Sequence, residues 1–220
     1  MREKLVIVGT GLFAEVACAY FEEYTNYEVV AFACHESFKT SDEIFGHRLL
    51  AIENLARECS PADADVFVAI GYGQMNKMRQ RVYKEMKERG YRCATFVHPG
   101  VKIWDSTTVG DNVFIFEDNT VQPFTRIGSN TVLWSGNHIG HHSSIGDHCF
   151  ISSHVMVAGS CKLGDNVFIG VNATLHDSLE IGDECLIGAG AIISKKTAPK
   201  SVYITPATKV YSKTSDQVGF

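Results

Sequence analysis

Residues 127–169 read IGSNTV-LWSGNH-IGHHSS-IGDHCF-ISSHVM-VAGSCK-LGDNVF-I, with an aliphatic residue opening every group of six. This spacing of Ile, Leu or Val continues without interruption from Val97 to Ile193. Two positions before each aliphatic residue stands a mostly small or slim side chain, such as Ser143 or Cys161. A period of six is neither helical nor the simple alternation of a strand, so it indicates a chain that coils around a prism.

A second period, of 18 residues, gives the size of each coil. In every third group the aliphatic residue is followed by glycine and then Asp or Ser, at Gly110-Asp111, Gly128-Ser129, Gly146-Asp147, Gly164-Asp165 and Gly182-Asp183. Three groups therefore make one coil, with a turn where glycine relieves crowding and Asp bonds to nearby main chain. Aliphatic side chains fill such a prism, and its backbone bonds to the coils above and below. We therefore predict a left-handed parallel β-helix of about five coils over residues 97–202.

The residues before 97 show a different pattern, in which short apolar runs alternate with helical segments. The apolar runs predict strands at 4–9, 28–34, 64–70 and 92–97. Helices are expected at 12–24, 52–58 and 74–89. This alternation predicts a small parallel, Rossmann-like α/β sheet of about four or five strands over residues 1–96. Residues 203–220 are expected to cap the last coil.

Composition and charge exclude several classes of function. The 220 residues carry a net charge of −5, which gives no electrostatic reason to bind nucleic acid or a membrane surface. No apolar run approaches the roughly 18 residues of a membrane span, and no secretory signal is expected. The seven cysteines form no CxxC pair, and Cys149, Cys161 and Cys185 occupy the small inward positions of the groups of six. Buried free thiols in a reducing cytoplasm are therefore expected.

The segment Gly9-Thr10-Gly11-Leu12-Phe13-Ala14 matches G-x-G-x-x-G/A between the first predicted strand and the first predicted helix. Glycines in this context let a phosphate approach the backbone at a helix N-terminus. The acidic residue of a dinucleotide motif is represented only by Glu36, which follows His35 after the second strand and is not well placed. We therefore favour phosphate or nucleotide binding over NAD(P), with a tight strand-to-helix turn as the simpler alternative.

A second glycine turn, Gly71-Tyr72-Gly73, follows the strand predicted at 64–70. Ligands of open parallel sheets bind beyond the carboxyl ends of the strands, where both glycine turns are expected. One ligand is therefore expected to contact both turns. The alternative is two loops in which glycine serves only the local backbone conformation.

Histidines cluster in the segment Gly136-Asn137-His138-Ile139-Gly140-His141-His142-Ser143-Ser144. Because Ile139 points inward, the three surrounding histidines cannot all belong to the core. Histidine is the natural base near neutral pH and a common metal ligand, so this corner indicates a proton-handling or metal site. Packing at the surface or at a subunit interface is the alternative, and it is the expectation for the later His148, His154 and His176.

The glycine-loop domain, the hexad run and the internal histidine together resemble a known family. This is the sialic-acid O-acetyltransferase type of sugar acyltransferases, which includes N-acetyltransferases of nucleotide-linked 4-amino sugars. The resemblance implies a homotrimer with acyl-CoA in the groove between neighbouring β-helices. It also implies that the N-terminal domain holds the nucleotide of the sugar, at residues 9–13, His35, Glu36 and 71–73.

The family motif V-x-H-D/E-C matches Ile139-Gly140-His141-His142-Ser143, which implies that His141 is the general base. His142 replaces the acidic neighbour, and Asn137 or His138 are candidates to orient His141 instead. The family glycine whose amide meets the thioester carbonyl matches Gly159. The groove for pantetheine and adenine is matched by Gly170, Gly188, Gly190 and Thr205-Pro206-Ala207. The acidic pair with which relatives often read the base is missing at Cys34-His35.

These features predict direct acetyl transfer from acetyl-CoA to the amino group of a nucleotide-linked amino sugar, without a metal. Transfer of a longer acyl group, or to a sugar hydroxyl, is an alternative within the same class. A zinc enzyme like the γ-type carbonic anhydrases is another alternative, with ligands among His141, His142, His148 and His176. The last is a non-catalytic trimer that binds nucleotide sugars.

Overall fold

A computed structural model describes residues 3–218, in which an α/β domain precedes a parallel β-helix. The sheet of the first domain has the order β3-β4-β2-β1-β5. Its strands are β1 Glu3–Val8, β2 Tyr27–Cys34, β3 Glu43–Ile44, β4 His47–Ala51 and β5 Ala64–Val68. The helices are α1 Leu12–Tyr24, α2 Leu55–Glu58 and α3 Lys77–Glu88, with short 3-10 turns at Glu36–Phe38, Ile52–Asn54 and Ser215–Gln217.

The sheet is mixed, so the prediction of a purely parallel sheet is wrong at one edge. β1, β2, β4 and β5 run parallel, whereas β3 pairs antiparallel with β4. Phe45 and Gly46 join these two strands with φ angles of 50° and 76°. Two consecutive positive φ angles are what a tight two-residue hairpin turn requires, and the sequence reading missed this turn.

Helix α1 has the predicted bounds because Ala14, Ala17, Cys18 and Phe21 form one buried stripe. Helix α3 begins three residues later than predicted, since residues 74–76 all have positive φ angles. The Asn76 side chain is buried and donates hydrogen bonds of 3.3 Å to the main-chain oxygens of Asn166 and Val167. These contacts with the β-helix accompany the non-helical turn before α3.

The strand predicted at 92–97 is divided between the two domains. Cys93 forms a single bridge to Val66 in the first domain. Phe96–Val97 is instead the first strand of the β-helix, paired with Phe114–Ile115 one coil later. The rings of Phe96 and Phe114 stack at 4.6 Å, which aligns this strand with the coil below.

The β-helix has three parallel sheets, and every strand from β6 to β21 ends on one of the predicted inward aliphatic residues. The first sheet contains β7 Thr108–Val109, β10 Arg126–Ile127, β13 Ser144–Ile145, β16 Lys162–Leu163 and β19 Glu180–Ile181. The second contains β6 Phe96–Val97, β8 Phe114–Ile115, β11 Val132–Leu133, β14 Phe150–Ile151, β17 Phe168–Ile169, β20 Leu186–Ile187 and β22 Val202–Tyr203. The third contains β9 Thr120–Val121, β12 His138–Ile139, β15 Met156–Val157, β18 Thr174–Leu175 and β21 Ile192–Ile193.

The interior of the prism confirms the reading of the two periods. The inward aliphatic side chains form one core with the small residues two positions earlier, including the free thiols Cys149, Cys161 and Cys185. In the repeated turn, a Cβ on Gly146 would lie 2.4 Å from the oxygen of Gly164. Glycine is therefore required there by the next coil. The left-handed conformation falls two residues later, as at His148 with a φ of 63°.

The α/β domain packs on the second sheet through a continuous aromatic layer. Phe114 and Phe150 belong to the same buried cluster as Phe21 and Phe67 of the α/β domain. The ring of Phe13 lies 5.8 Å from that of Phe114. One core therefore holds the two domains together, and it contributes apolar burial to both of them.

The end of the chain extends the second sheet before it leaves the prism. Val202–Tyr203 pairs with Leu186–Ile187, so the cap begins one residue before the predicted boundary at 203. Residues 1–2 and 219–220 of the predicted first and last segments lie outside the described residues. None of the helices within residues 3–218 is long and apolar enough to cross a lipid bilayer.

Candidate active site

A cavity of about 690 Å³ lies at the carboxyl edge of the α/β sheet. Both glycine turns reach it, through residues 9–13 and Gly71, as the sequence predicts. The segment 33–35 after β2 forms another part of the wall. One side of α3 completes it with Met78, Arg81, Val82 and Glu85. The cavity is large enough for a small ligand of nucleotide size.

The two glycines of the first turn differ in how much space surrounds them. A Cβ on Gly9 would lie 2.5 Å from the oxygen of Ala69, and the φ of Gly9 is 145°. A Cβ on Gly11 would meet no atom within 4 Å. Gly11 caps α1 without a side-chain hydrogen bond, and the first two helical residues, Leu12 and Phe13, line the cavity. Gly9 is thus required by packing, and the turn at Gly11 is open to an anion.

His35 lines the cavity and is held between two carboxylates. Its Nδ1 lies 3.2 Å from Oε1 of Glu53, and its Nε2 lies 3.1 Å from Oε2 of Glu85. Burial opposes ionisation of Glu53, but hydrogen bonds from its own and the Glu36 main chain and from His35 lower its pKa. Glu36 itself is outside the lining of the cavity, and only its main-chain N–H contacts Glu53, at 3.0 Å.

The remaining predicted residues of the second glycine turn also lie outside the cavity lining. The Tyr72 ring packs on the β-helix, with its centroid 5.0 Å from that of Phe150 and 4.8 Å from that of Phe168. Gly73 follows it on the exposed side of the turn. The structure therefore brings Gly71 to the cavity and uses Tyr72 to attach the turn to the other domain.

Arg79 is a residue that the sequence reading missed. Its side chain is fully buried between the domains. The guanidinium donates five hydrogen bonds of 2.9–3.3 Å to the main-chain oxygens of Ile70, Gly71, Asn130, His148 and Cys149. Burial lowers its pKa to about 10, which still leaves it charged at neutral pH. Its spacing in the sequence could have indicated this burial, because Arg79 lies on the same face of α3 as the buried Val82 and Met86.

Below Arg79, the left-handed turn residues of successive coils form a polar column. Nδ2 of Asn112 donates to Oδ1 of Asn130 at 2.8 Å, and Nδ2 of Asn130 lies 2.9 Å from Nδ1 of His148. Burial lowers the pKa of His148, which favours its neutral form. His148 was expected at the surface or at an interface, and it is in fact buried where the α/β domain packs on the β-helix, with the Tyr83 ring 5.6 Å from its own.

His141 lies on an exposed edge of the prism, at the turn after β12. Its main-chain N–H donates to Oε1 of Gln122 at 2.8 Å, and its oxygen accepts from Ser160 at 2.8 Å. The imidazole lies directly over Gly159, since a Cβ there would be 2.8 Å from Cε1 and 2.9 Å from Nε2 of His141. The sequence placed these two residues one coil apart, and the structure brings them into contact.

His142 is the side chain that contacts His141. The Nδ1 atoms of the two rings are 3.1 Å apart. Asn137, which was expected to be able to orient His141, is buried in an inward position. Its amide donates to the oxygen of Trp134 and accepts from Val155 at 2.8 Å. That expectation is therefore wrong for Asn137.

His138, the other candidate to orient His141, lies in β12. Its main chain pairs with Thr120 and Met156. Within residues 3–218 its ring forms no hydrogen bond with His141. Within residues 3–218, the side-chain hydrogen bond that orients the His141 imidazole is therefore the one with His142.

The residues predicted for the acyl-CoA groove lie on the last coils. A Cβ on Gly170 would be 2.6 Å from the Ala189 nitrogen, and one on Gly188 would be 2.9 Å from the Tyr203 oxygen. Gly190 has a φ of 66° and open space around it. Thr205 donates to the Ala189 oxygen at 2.8 Å, which holds the exposed segment Thr205-Pro206-Ala207 along this edge.

The histidines proposed as zinc ligands do not converge in the chain. Among residues 3–218, the one trio of His, Cys and carboxylate atoms within reach of a single ion is Cys18, Glu22 and His47, on α1 and β4. His148 is buried and bonded to Asn130. The described geometry therefore does not support the carbonic-anhydrase-like alternative.

Two protein-family models match the chain, one in each domain. The PglD N-terminal domain model matches residues 4–86. The bacterial transferase hexapeptide model (six repeats) matches residues 124–159 and 160–195. The chain is a hexapeptide-repeat protein with a PglD-type N-terminal domain. This combination confirms the family resemblance inferred from the sequence.

Solved structures share the whole arrangement. PerB from Caulobacter crescentus, in complex with CoA and GDP-perosamine, has a TM-score of 0.80 at 22% identity over 90% of this chain and 92% of PerB. WeeI from Acinetobacter baumannii has a TM-score of 0.69 at 18% identity over 90% of this chain and 94% of WeeI. The acetyltransferase domain of PglB from Neisseria gonorrhoeae has a TM-score of 0.61 at 18% identity over 92% of this chain and 96% of that domain.

At these identities the similarity establishes the fold, which is the predicted α/β domain followed by a left-handed β-helix. No curated protein sequence matches the chain.

Proposed function

We propose that this hexapeptide-repeat protein transfers the acetyl group of acetyl-CoA to the amino group of a nucleotide-linked amino sugar. The observation that carries the proposal is the exposed His141 imidazole lying over the main chain of Gly159. A base beside a free main-chain amide is the arrangement that acyl transfer needs. The same chain carries a separate cavity for the acceptor, formed by its glycine turns.

The cavity of the α/β domain suits the nucleotide part of the acceptor. The diphosphate is expected at the start of α1, where Gly11 leaves space and no side chain caps the first N–H groups of the helix. The apolar wall at Phe38, Ile52 and Val82 suits a base, and Arg81 and Glu85 supply polar groups for its edge. PerB, which has the same fold, is described in complex with a GDP-linked amino sugar and CoA.

The donor is expected along the edge of the β-helix, in a groove formed with a neighbouring copy in a homotrimer. The single chain exposes Met156, Val171 and Ile192 there, with 43%, 46% and 68% of their surface accessible. Exposed apolar side chains along one edge support a subunit contact. Gly190 and the segment from Thr205 to Ala207 then lie where the rest of CoA extends. Acetyl-CoA and the buried free thiols both fit the cytoplasm.

The chemistry is a direct transfer in a ternary complex. The lone pair of the acceptor amine forms the new C–N bond to the thioester carbonyl carbon, and the carbonyl electron pair moves to oxygen. The Gly159 N–H stabilises this oxyanion, a type of contact worth about 3–4 kcal/mol. Nε2 of His141 accepts the proton that the amine loses. Collapse of the intermediate breaks the C–S bond, and the proton passes to the leaving CoA thiolate.

A thiol-release assay with acetyl-CoA across UDP-, dTDP- and GDP-linked amino sugars tests the proposal. We expect one acceptor to release CoA and to form an amide that mass spectrometry detects. The matched acceptors carry a hydroxyl in place of the amine and should be inactive. Activity on the hydroxyl sugars alone would indicate O-acetylation. Binding of a nucleotide sugar without CoA release would indicate a non-catalytic protein.

A further inference from the structure

The pair formed by His141 and His142 has a defined proton arrangement. Two Nδ1 atoms 3.1 Å apart form a hydrogen bond only if one of them carries the proton. When His141 donates, its Nε2 keeps a free lone pair beside Gly159. When His142 donates, the proton of neutral His141 sits on Nε2, and His141 cannot act as a base. The active arrangement therefore has the His141 Nδ1–H donating to His142.

No carboxylate oxygen within residues 3–218 lies within 4 Å of a ring nitrogen of His141 or His142. The coil before them contributes Gln122, Pro123 and Phe124, and the coil after them contributes Ala158, Gly159 and Ser160, none of which is ionisable. By the register of the coils, the ionisable side chains nearest this edge within residues 3–218 are His138 in the same coil, Asp105, His176 and Asp177 two coils away, and Arg126 and Lys162 on the first sheet.

The ring of Phe124 holds His142 from the other side. Their centroids are 4.7 Å apart with planes 31° apart. Phe124 is 59% exposed and has a φ of 62°, which is an unusual combination for a large aromatic residue. Its main-chain N–H donates to the Ser106 hydroxyl at 3.1 Å, which fixes the turn. The same left-handed φ recurs at this turn position in His142 and Ser160, so the feature specific to Phe124 is its exposed ring against His142.

We propose that His142, held by Phe124, takes the place of a carboxylate as the charge-sharing partner of His141. This inference rests on the proposed function. When Nε2 of His141 accepts the amine proton, the Nδ1–H bond to His142 becomes charge-assisted and strengthens. His142 then shares the positive charge, and the face of the Phe124 ring stabilises it. His142 is thus a positioning residue, and the pair carries no fixed negative charge.

A neutral partner and a carboxylate differ in how they affect a protonated imidazole. A carboxylate beside an imidazolium favours the charged form, so such a pair stays protonated to higher pH. The partner in this chain is neutral and does not stabilise the imidazolium in that way. The acid limb of the kcat/KM profile, where protonation removes the base, is therefore expected at lower pH than in a histidine–carboxylate pair.

Two substitutions that tolerate the φ of 59° at His142 test this directly. His142→Gly removes the ring, and His142→Asp restores an acidic partner. We expect His142→Gly to lower kcat about tenfold with little change in either KM, and to move the acid limb to lower pH. We expect His142→Asp to move the limb up by about one pH unit. His154→Gly is the control, since His154 has a φ of 58° on another turn.

An acid limb in His142→Gly at the same pH as in the wild type would overturn the proposal, because that variant removes the charge-sharing partner. His142→Asp shows how far a carboxylate at this position moves the limb. Nitrogen-15 NMR of labelled histidine provides a readout that needs no turnover. The His141 ring signals should titrate at a lower pH in His142→Gly and a higher pH in His142→Asp. If no acceptor is ever acetylated, these titrations still decide the role of His142, while the proposed function fails separately.

Discussion

Arg79 donates a hydrogen bond of 3.1 Å to the main-chain oxygen of Gly71, and through its other nitrogens it binds the coil at His148 and Cys149. The guanidinium is fully buried and has no carboxylate partner within the described chain. It is therefore a direct polar link between the cavity of the α/β domain and the β-helix. Together with the Tyr72 ring, which packs on Phe150 and Phe168, this side chain holds the turn at Gly71 against the β-helix.

Replacing Arg79 with Met should remove a donor from five main-chain oxygens, of which that of Cys149 keeps the N–H of Val132. We expect a loss of about 3–5 kcal/mol in the free energy of unfolding, measured by urea denaturation. Arg79→Lys keeps the charge but supplies at most three donors, so its loss should be smaller, with a raised KM for the nucleotide sugar. Equal stability of Arg79→Met and the wild type would contradict the role assigned to Arg79.

The two glycines of the first turn should separate stability from binding. In Gly9→Ala the new Cβ meets the Ala69 oxygen at 2.5 Å, so we expect a loss of several kcal/mol in stability. In Gly11→Ala the Cβ meets no protein atom and the φ is −90°, so stability should change by less than about 1 kcal/mol. Calorimetry should nevertheless show weaker binding of the nucleotide sugar to Gly11→Ala. Unchanged affinity would mean that the ligand does not approach this turn.

His148 should make the protein less stable as the pH falls. Burial lowers the pKa of His148 in the folded state. When the pH falls below the ordinary pKa of histidine, the unfolded chain therefore binds the proton more readily than the folded one. Its contribution is therefore complete above about pH 6.5 and is lost on acidification. Urea denaturation at pH 7.5 and pH 5 should show a smaller acid loss in His148→Asn than in the wild type. His154→Asn, at an exposed turn of the same conformation, should behave like the wild type.

Gly159→Ala should impair the transfer without unfolding the prism. The added Cβ would lie 2.8 Å from Cε1 of His141, and that exposed ring can move away. We expect a fall in kcat/KM of about 10²-fold or more, because both the base and the oxyanion contact shift. Thermal denaturation should change little. Wild-type activity in this variant would exclude Gly159 from the site.

The sequence predicted the parts of the molecule that repeat. The positions of Ile139 and Val157 in the groups of six were enough to place His141 and Gly159 on successive coils. The motif from Gly9 to Ala14 located the start of α1 and one wall of the cavity. These features are local or periodic, and their physical basis is contained in a short stretch of chain.

What the sequence did not reveal depends on contacts between distant segments. Arg79 is one charge in a charged helix, and its burial follows only from the docking of α3 on the β-helix. Phe124 contacts His142 because the two occupy the same turn position one coil apart. The 18-residue period places them in register, but it does not show that the two rings touch. Asn137 carries an amide suited to a site, but its inward position assigns that amide to the core.

The most direct test of the central claim is the kcat/KM of His141→Asn with acetyl-CoA and the accepted amino sugar. His154→Asn serves as the matched control. The account predicts a fall of about 10²–10⁴-fold for His141→Asn, with unchanged thermal stability and unchanged binding of the nucleotide sugar. A kcat/KM equal to that of the wild type would contradict it.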